Sequence, residues 1–497
     1  MPVFEDGPRP AFWKRLLAGA ALIVVAAAGA TAVAAFHEVD KISNLLGISP
    51  ELDLGNEIAI TEPGKPQTIM LIGSDERNKT ANDAGGGARS DTIILVRLDP
   101  DKEATALMSL PRDLRVQIPG YGIDKINAAY SIGGAKLTLQ TVKELTGLSI
   151  NHVINVNFEG FVKGINAIGC VYLDIDRRYY NDGIAASDYA PIDLQPGYQK
   201  MCGRDALDFA RFRHEDSDLV RGARQQELLR EAKQRIGLGG LIGNRDKLLK
   251  IFGRYTRSDA ALKDTKEILR ILKLALFSVD QPIREIHFEG EIGITAGDAA
   301  TGTPSYVTAT DRTVKKLTQK FLGVEASSGP RGRLKPERRR KKKEPGDLLL
   351  EDATGEGKDQ AVQALSQTSG LGKRLPVYYP TMRTYGAVYA GPPRVYRIPT
   401  PDHESALAYR MVIKRGLVGE YYGLQGTTWR NPPILGNLDD LEERRFGGRV
   451  FHIQYDGDRV RLVAWRTHRG VYWISNTLLQ TLTERQMLAI ARSTRTL

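Results

Sequence analysis

The sequence predicts an α/β sandwich followed by a smaller α+β domain, on three observations. Short apolar, β-branched runs recur between turn residues in the first half, and amphipathic helical patterns alternate with them. A stretch rich in Gly, Ser, Pro, Lys and Glu then interrupts the chain before order resumes near Leu375. At 497 residues the chain exceeds the roughly 250 to 300 residues that one hydrophobic core serves, so two folded units are expected.

Residues 1–15 carry Arg9, Lys14 and Arg15, and residues 16–36 form an uncharged run, LLAGAALIVVAAAGATAVAAF. About 21 residues at 1.5 Å each reach roughly the 30 Å of a bilayer's hydrocarbon core. Basic residues precede the run and Glu38 and Asp40 follow it. The expectation is therefore a single-pass transmembrane helix in the cell membrane, with 1–15 cytoplasmic and everything downstream extracytoplasmic. A cleaved signal peptide is the alternative, because Ala32 to Ala35 offer small residues to a signal peptidase, although the run is long for one. Residues 37–65 read as a stalk.

Strand-like runs follow at 68–72, 92–98 and 105–110, then at 152–157 and 171–175, with helical patterns at 137–145 and 225–235. A helical pattern over 264–276, a strand at 286–288 and a helix over 311–321 complete a first domain of residues 66–325. Residues 326–374 read as a basic, disordered linker. In the tail, 375–497, strands at 449–455 and 460–467 flank Asp456-Gly457-Asp458, a hairpin signal, and 470–475 reads as a third strand. Thr483-x-x-Gln486 matches a capping box opening a last helix. Tyr421, Tyr422, Trp429, Trp465 and Trp473 are the aromatics able to stack on sugars, but in short strands such residues are usually core.

Composition excludes several classes. With 41% hydrophobic and 26% charged residues most of the chain should fold in water. The net charge of +11 draws heavily on the run from Arg331 to Glu344, which on the predicted topology lies outside the cell, so no nucleic-acid partner is expected. That run reads either as a solvated linker or as a contact to anionic lipid or wall polymer. The two cysteines, Cys170 and Cys202, fall where disulfides persist; a bridge would close about a 30-residue loop and stabilise by roughly 3 to 4 kcal/mol. Neither has a zinc-spaced neighbour. The glycine-rich 237–243 segment follows a helix, so it reads as a helix terminus and not a nucleotide loop.

Charged residues gather at inferred strand ends. Asp75 closes the first strand in Gly73-Ser74-Asp75-Glu76-Arg77, and Arg89-Ser90-Asp91-Thr92 opens the next. Two aspartates so placed can converge on a hard cation, Mg²⁺ or Mn²⁺, which favours carboxylates with phosphate oxygens. Surface Asp–Arg ion pairs are the plain alternative. Arg112 follows the third strand, and Lys125 and Tyr130 come soon after. In Arg211-Phe212-Arg213 an extended chain would turn both guanidiniums to one face, which suits a multidentate anion. Asp218, Arg221 and Gln225 share one helix face, flanked by Arg224 and Gln226. An ion pair explains Asp218 with Arg221; convergent arginines and carboxylates together point to a pyrophosphate and its metal.

GSDER, ARSDTIILV, SLPRDLRVQIPG, KINAAYSIGG, VNFEGF, ALDFARFRH and DLVRGARQQ occur in the order typical of LytR-CpsA-Psr proteins, which residues 66–325 resemble. The resemblance implies a three-layer α/β/α sandwich with a central mixed sheet, and a phosphotransferase. Its substrate would be a polyprenyl-pyrophosphate-linked glycan, such as teichoic acid, joined to peptidoglycan through a phosphodiester bond. By the resemblance Asp75 and Asp91 are the Mg²⁺-associated acids. Arg89, Arg112, Arg211, Arg213, Arg221 and Gln225 match the pyrophosphate-binding set, and Asp218 orients Arg221. Two departures stand out: a glycine-rich insert, Ala84 to Ala88, between the acid motifs, and Cys170 after Gly169 where the family often has a second glycine. The general base defaults to an Asp of the cluster. Two rival readings remain, a polyprenyl-pyrophosphate hydrolase and a non-enzymatic, membrane-anchored wall-binding or regulatory protein.

Overall fold

The short apolar runs of the first half are realised as a six-stranded mixed sheet whose two faces are both covered. The computed structural model describes residues 51–62, 64–74, 90–102, 104–183, 191–212, 218–243, 245–263, 267, 274, 283–286, 292–295, 305–323, 349–416, 420–436, 441–456 and 459–497. Of some helix and strand residues, Asp91 and Asp218 among them, only the backbone is described. The expected membrane helix at 16–36, most of the 264–276 pattern and residues 326–348 lie outside this set. Among the described residues no helix is long and apolar enough to cross a membrane.

The strands are β1 (Gln67–Ser74), β2 (Ser90–Asp99), β3 (Ala104–Leu110), β4 (Arg115–Ile118), β5 (Gly122–Lys125), β6 (His152–Asn157), β7 (Val171–Ile175), β8 (Gly197–Met201), β9 (Thr256–Ser258) and β10 (Ile283–Ile286). The helices are α1 (Ala128–Thr146), α2 (Phe158–Ala167), α3 (Gly203–Arg211), α4 (Asp218–Gly243), α5 (Arg245–Tyr255) and α6 (Asp311–Leu322). The main sheet runs β9-β6-β1-β2-β3-β10. β2 is antiparallel to β1 and β3, whereas β6 is parallel to β1 and β10 to β3. Met70, Ile72, Ile93, Leu95 and Met108 face Leu139 and Val142 of α1 and Phe321 of α6. The opposite face turns Leu71, Ile94, Val96 and Leu107 towards Leu229 of α4. Burial on both sides explains why these strands read as continuous apolar runs.

α1 begins earlier than its apolar pattern and breaks at Gly133-Gly134, where Gly134 has φ +62 and a Cβ on Gly133 would sit 2.6 Å from the Leu137 side chain. Cys170 and Cys202 are bonded, which ties the start of β7 to the cap residue of α3.

α4 continues to Gly243, so the 237–243 glycines form the terminal turns of that helix, as expected, and not a nucleotide loop. Two expectations are corrected. Arg211 is the last residue of α3 and not part of an extended strand; the chain extends only at Phe212, whose side chain is buried as expected. Residues 349–374 are ordered, with helix α7 at Thr354–Gln367, so the expected disordered linker does not extend over them. The buried face of α7 consists of Gly357, Gln360, Ala361 and Ala364, too small and polar to register as an apolar stripe.

The tail is α+β. Its strands are β11 (Arg394–Pro399), β12 (Ser405–Lys414), β13 (Tyr421–Thr427), β14 (Glu442–Phe446), β15 (Arg449–Asp456), β16 (Arg459–Arg466) and β17 (Val471–Ser475), and its last helix is α8 (Glu484–Ser493). They form an antiparallel sheet with β12, β13, β17, β16, β15 and β14 in sequence, and β11 also pairs with β12. Thr483 and Gln486 make the expected capping box at the start of α8. Tyr422, Trp465 and Trp473 are fully buried and therefore core. This domain packs onto the first through a cluster of Tyr172, Tyr198, Ile398, Ile434, Leu462 and Trp473.

Candidate active site

One edge of the main sheet collects the ends of four chain segments. Because β2 runs against its neighbours, its start lies beside the end of β1 and the end of β3: Ser74 pairs with Ser90, and Ile93 with Leu110. β6 ends at the same edge, with Asn157 opposite Ser74. The register jumps from Gly73↔Thr92 to Ser74↔Ser90, so Asp91 is the extra residue of a β-bulge. Bulges bend the strand and re-aim a side chain out of the ladder, which is a common arrangement beside active sites. Asp75 follows Ser74 directly but, like Arg89 and Arg213, lies outside the described residues. The Ser90 hydroxyl is wholly buried without a hydrogen-bond partner among the described residues.

A polar network braces this edge from within. The Ser74 hydroxyl donates to Asn155 Oδ1 at 2.8 Å, and Asn155 Nδ2 donates to the Tyr130 hydroxyl at 2.6 Å. Asn155 was not singled out from the sequence; a polar residue inside the apolar β6 run was the available signal. Arg112 lies two residues beyond β3, its Nε 3.5 Å from Asp113, whose other oxygen is 3.0 Å from Lys125 Nζ. Asp113 thereby fixes two cations at the sheet edge.

α3 and α4 bring in the remaining groups. Arg211 places its guanidinium 3.9 Å from the centroid of Phe158, the residue that follows β6. The Gln225 amide donates to Thr92 Oγ1 at 2.8 Å and to the Ala210 carbonyl at 3.2 Å, joining α4 to the residue after Asp91 and the residue before Arg211. Gly222 lets α4 approach β3, since a Cβ there would stand 3.1 Å from Ser109 Oγ. Arg221, one helical turn before Gln225, is 5% exposed. Asp218 opens α4, with only its backbone described. Arg112, Arg211 and Gln225 thus belong to segments that meet the strand ends next to Asp91, and Arg221 lies one turn before Gln225 on α4.

Arg224 has a different task from the one its position implied. Its guanidinium donates to the Phe209 and Phe212 carbonyls, each at 2.7 Å, and lies against the rings of Tyr179 and Phe209. It donates to carbonyls at and just beyond the C-terminal end of α3, where helix carbonyls lose their intrahelical partners, and so locks α3 to α4. On another face of α4, burial pushes Glu227 up to about 7, although Arg461 and Arg230 pull it down. Among the described residues no group of three or more His, Cys, Asp or Glu could hold a metal; Asp75 and the Asp91 side chain fall outside that search.

Comparison with known proteins finds relatives of this chain. The model of the LytR_cpsA_psr family matches residues 31–321. A protein of Bacillus subtilis named polyisoprenyl-teichoic acid–peptidoglycan teichoic acid transferase TagT is 30% identical over 257 residues, 51% of this chain and 79% of that protein. A protein of Oceanobacillus iheyensis with the corresponding name TagU is 34% identical over 209 residues, 40% of this chain and 61% of that one. Among solved structures, one titled TagT bound to LI-WTA shares 27% identity at a TM-score of 0.43, covering 56% of this chain and 100% of its own. The family match ends before the α+β domain begins.

Proposed function

We propose, from the premise that this chain belongs to the LytR_cpsA_psr family, that it moves a glycopolymer from a polyprenyl-pyrophosphate carrier onto peptidoglycan through a phosphodiester bond. The relatives that share 30% and 34% identity carry the name of that activity, with teichoic acid as the polymer. The observation that carries the reading is that the segments bearing Arg112, Arg211 and Gln225, with Arg221 one turn before Gln225, meet the strand ends at the Asp91 bulge. Several cationic donors converging where strands end suit a pyrophosphate whose charge grows as its bridge breaks.

In this reading a peptidoglycan sugar hydroxyl attacks the glycan-side phosphorus, and the new O–P bond forms as the bridging P–O bond breaks. The lipid phosphate leaves with that electron pair. The arginines hold the pyrophosphate and stabilise its charge, so catalysis is positioning and electrostatics. The hydroxyl proton passes to a carboxylate of the cluster. Asp75 follows Ser74, which pairs with Ser90, the residue before Asp91, so both acids come from adjacent strand ends next to a buried hydroxyl without a partner among the described residues, and oxygen donors are what a hard cation prefers. Asp75 and Asp91 would hold Mg²⁺ or Mn²⁺, which when bound withdraws charge from the pyrophosphate oxygens. Arg89 and Arg213 complete the anion set, and Asp218 orients Arg221. Residues 16–36 anchor the protein in the cell membrane and leave the site outside, where peptidoglycan is.

The test uses the purified full-length protein in detergent with a short polyprenyl-pyrophosphate glycan, Mg²⁺ and peptidoglycan fragments, read by mass spectrometry. Wild type should yield a phosphodiester-linked adduct, and Asp91→Ala and Arg112→Ala should lose it by a hundredfold or more. Lipid phosphate without adduct would identify a hydrolase instead. Lipid binding without turnover, alike in wild type and variants, would point to a wall-binding or regulatory protein.

A further inference from the structure

Helix α4 carries the site on one face and the α+β domain on another. Arg221, Arg224 and Gln225 serve the sheet edge and α3. Glu227, Arg230, Glu231 and Gln234, spaced at one-turn intervals, serve a different surface. Arg461 Nη2 of β16 lies 3.0 Å from Glu231 and 3.3 Å from Glu227. Arg230 reaches Asp456 of β15 at 3.0 Å and also pairs with Glu285 of β10. Gln234 donates to the Pro433 carbonyl at 2.6 Å.

The second foothold lies under α3. β7 and β8 pair with each other, and β8 leads through the disulfide-bonded Cys202 into α3, which ends at Arg211. Asp174 of β7 accepts from Arg410 Nη1 at 3.3 Å and from Trp473 Nε1 at 3.0 Å. Tyr172 donates to the Pro399 carbonyl at 2.7 Å, and Arg394 to the Pro196 carbonyl at 2.7 Å. At Gly197 the two domains approach so closely that a Cβ would meet the Tyr396 hydroxyl. Arg410 is 1% exposed, Trp473 0% and Arg230 5%. Charges so buried tolerate few alternative pairings, because any slip leaves one uncompensated in low dielectric. The interface therefore has one register, and it holds both helices that bring cations to the sheet edge.

We infer that the α+β domain is a positioning scaffold for the anion site, with Arg461 as the positioning residue that clamps α4 through Glu227 and Glu231. The inference rests on the transferase reading of that site. It assigns the domain a task inside the same chain: catalytic geometry requires it even though none of its residues touches the substrate. Arg461 acts through α4, whose Gln225 is bonded beside both Asp91 and Arg211.

The test compares the full-length protein with two variants. The triple change Arg461→Met, Glu227→Gln, Glu231→Gln removes the clamp without stranding a buried charge, and Arg461→Lys retains one ion pair. Turnover of the polyprenyl-pyrophosphate glycan, KM for the peptidoglycan fragment, thermal midpoint and deuterium exchange over residues 218–226 are measured together. The triple variant should keep a cooperative thermal transition, lose tenfold or more in kcat with KM for the fragment unchanged, and exchange faster over 218–226. Arg461→Lys should recover most of the loss. Turnover within twofold of wild type with unchanged exchange overturns the scaffold. If the triple variant fails to fold, Arg461→Lys decides: a two- to fivefold loss of kcat with faster exchange supports the clamp, and wild-type values overturn it. Absence of turnover in wild type would sink the transferase reading instead, while exchange over 218–226 still judges the clamp.

Discussion

Glu227 offers a quantitative check on the interface, because it is an acid that the fold holds against its own charge. Burial outweighs the attraction of Arg461 and Arg230 and pushes it from 4.5 to about 7. Between those values the folded protein binds a proton that the unfolded chain does not, so unfolding free energy falls as pH rises through that window. Below about 4.5 the contribution is constant, and above about 7 the penalty is fully in place. At about 1.4 kcal/mol per pH unit, the window amounts to about 3 kcal/mol as a ceiling. Glu227→Gln preserves the shape and an oxygen for Arg461 while removing the titration. Urea unfolding of wild type and variant at pH 5, 6, 7 and 8 should show curves that diverge, with the variant relatively more stable by about 2 to 3 kcal/mol at pH 8 than at pH 5. A difference constant to within about 0.5 kcal/mol across that range would refute the reasoning.

Three further outcomes follow from the contacts at the sheet edge. Gln225→Ala removes the bonds to Thr92 and Ala210; kcat/KM in the transfer assay should fall tenfold or more, with only about 1 to 2 kcal/mol of stability lost in a urea melt. Arg224→Met leaves the Phe209 and Phe212 carbonyls without their cation, so stability should fall by about 3 kcal/mol or more, whereas an anion-contacting arginine would leave the melt unchanged and weaken lipid binding. Cys170→Ser with Cys202→Ser opens the tie between β7 and α3, and a loss of about 3 to 4 kcal/mol is expected in the same melt, read against wild type without reductant.

The chemistry at the sheet edge was legible in the sequence to the extent that it is local. Strands buried on both faces announce themselves as apolar runs, and the candidate site residues cluster where those runs stop, so Asp91 and Arg112 could be placed at strand ends in advance, whereas Arg211, read as extended, closes helix α3. What could not be read depends on which side of a helix faces which layer. Arg221 and Arg224 are three residues apart in the same motif, yet Arg224 is spent on the carbonyls of α3. Polarity alone cannot separate an arginine that satisfies backbone from one that meets a ligand. α7 escaped notice because its packing is made largely by Gly and Ala, and Asn155 because a polar residue within a strand does not show by itself which partner it meets.

The interface was the least legible feature, and the reason is physical. Arg461 meets Glu231 across 230 residues of chain, and Trp473 meets Asp174 across 299. Each charge, read alone, resembles a solvated surface residue, because charged side chains are seldom buried unless paired. Only the pairing makes burial tolerable, and the pairing is a property of the fold. The same long-range dependence gives the interface its single register: a partner chosen from so far away confers no local propensity, but once buried it penalises every other alignment. On the scaffold inference, the proposed anion site, assembled from motifs within residues 73–226, is therefore local in sequence yet borrows its rigidity from strands more than 200 residues downstream.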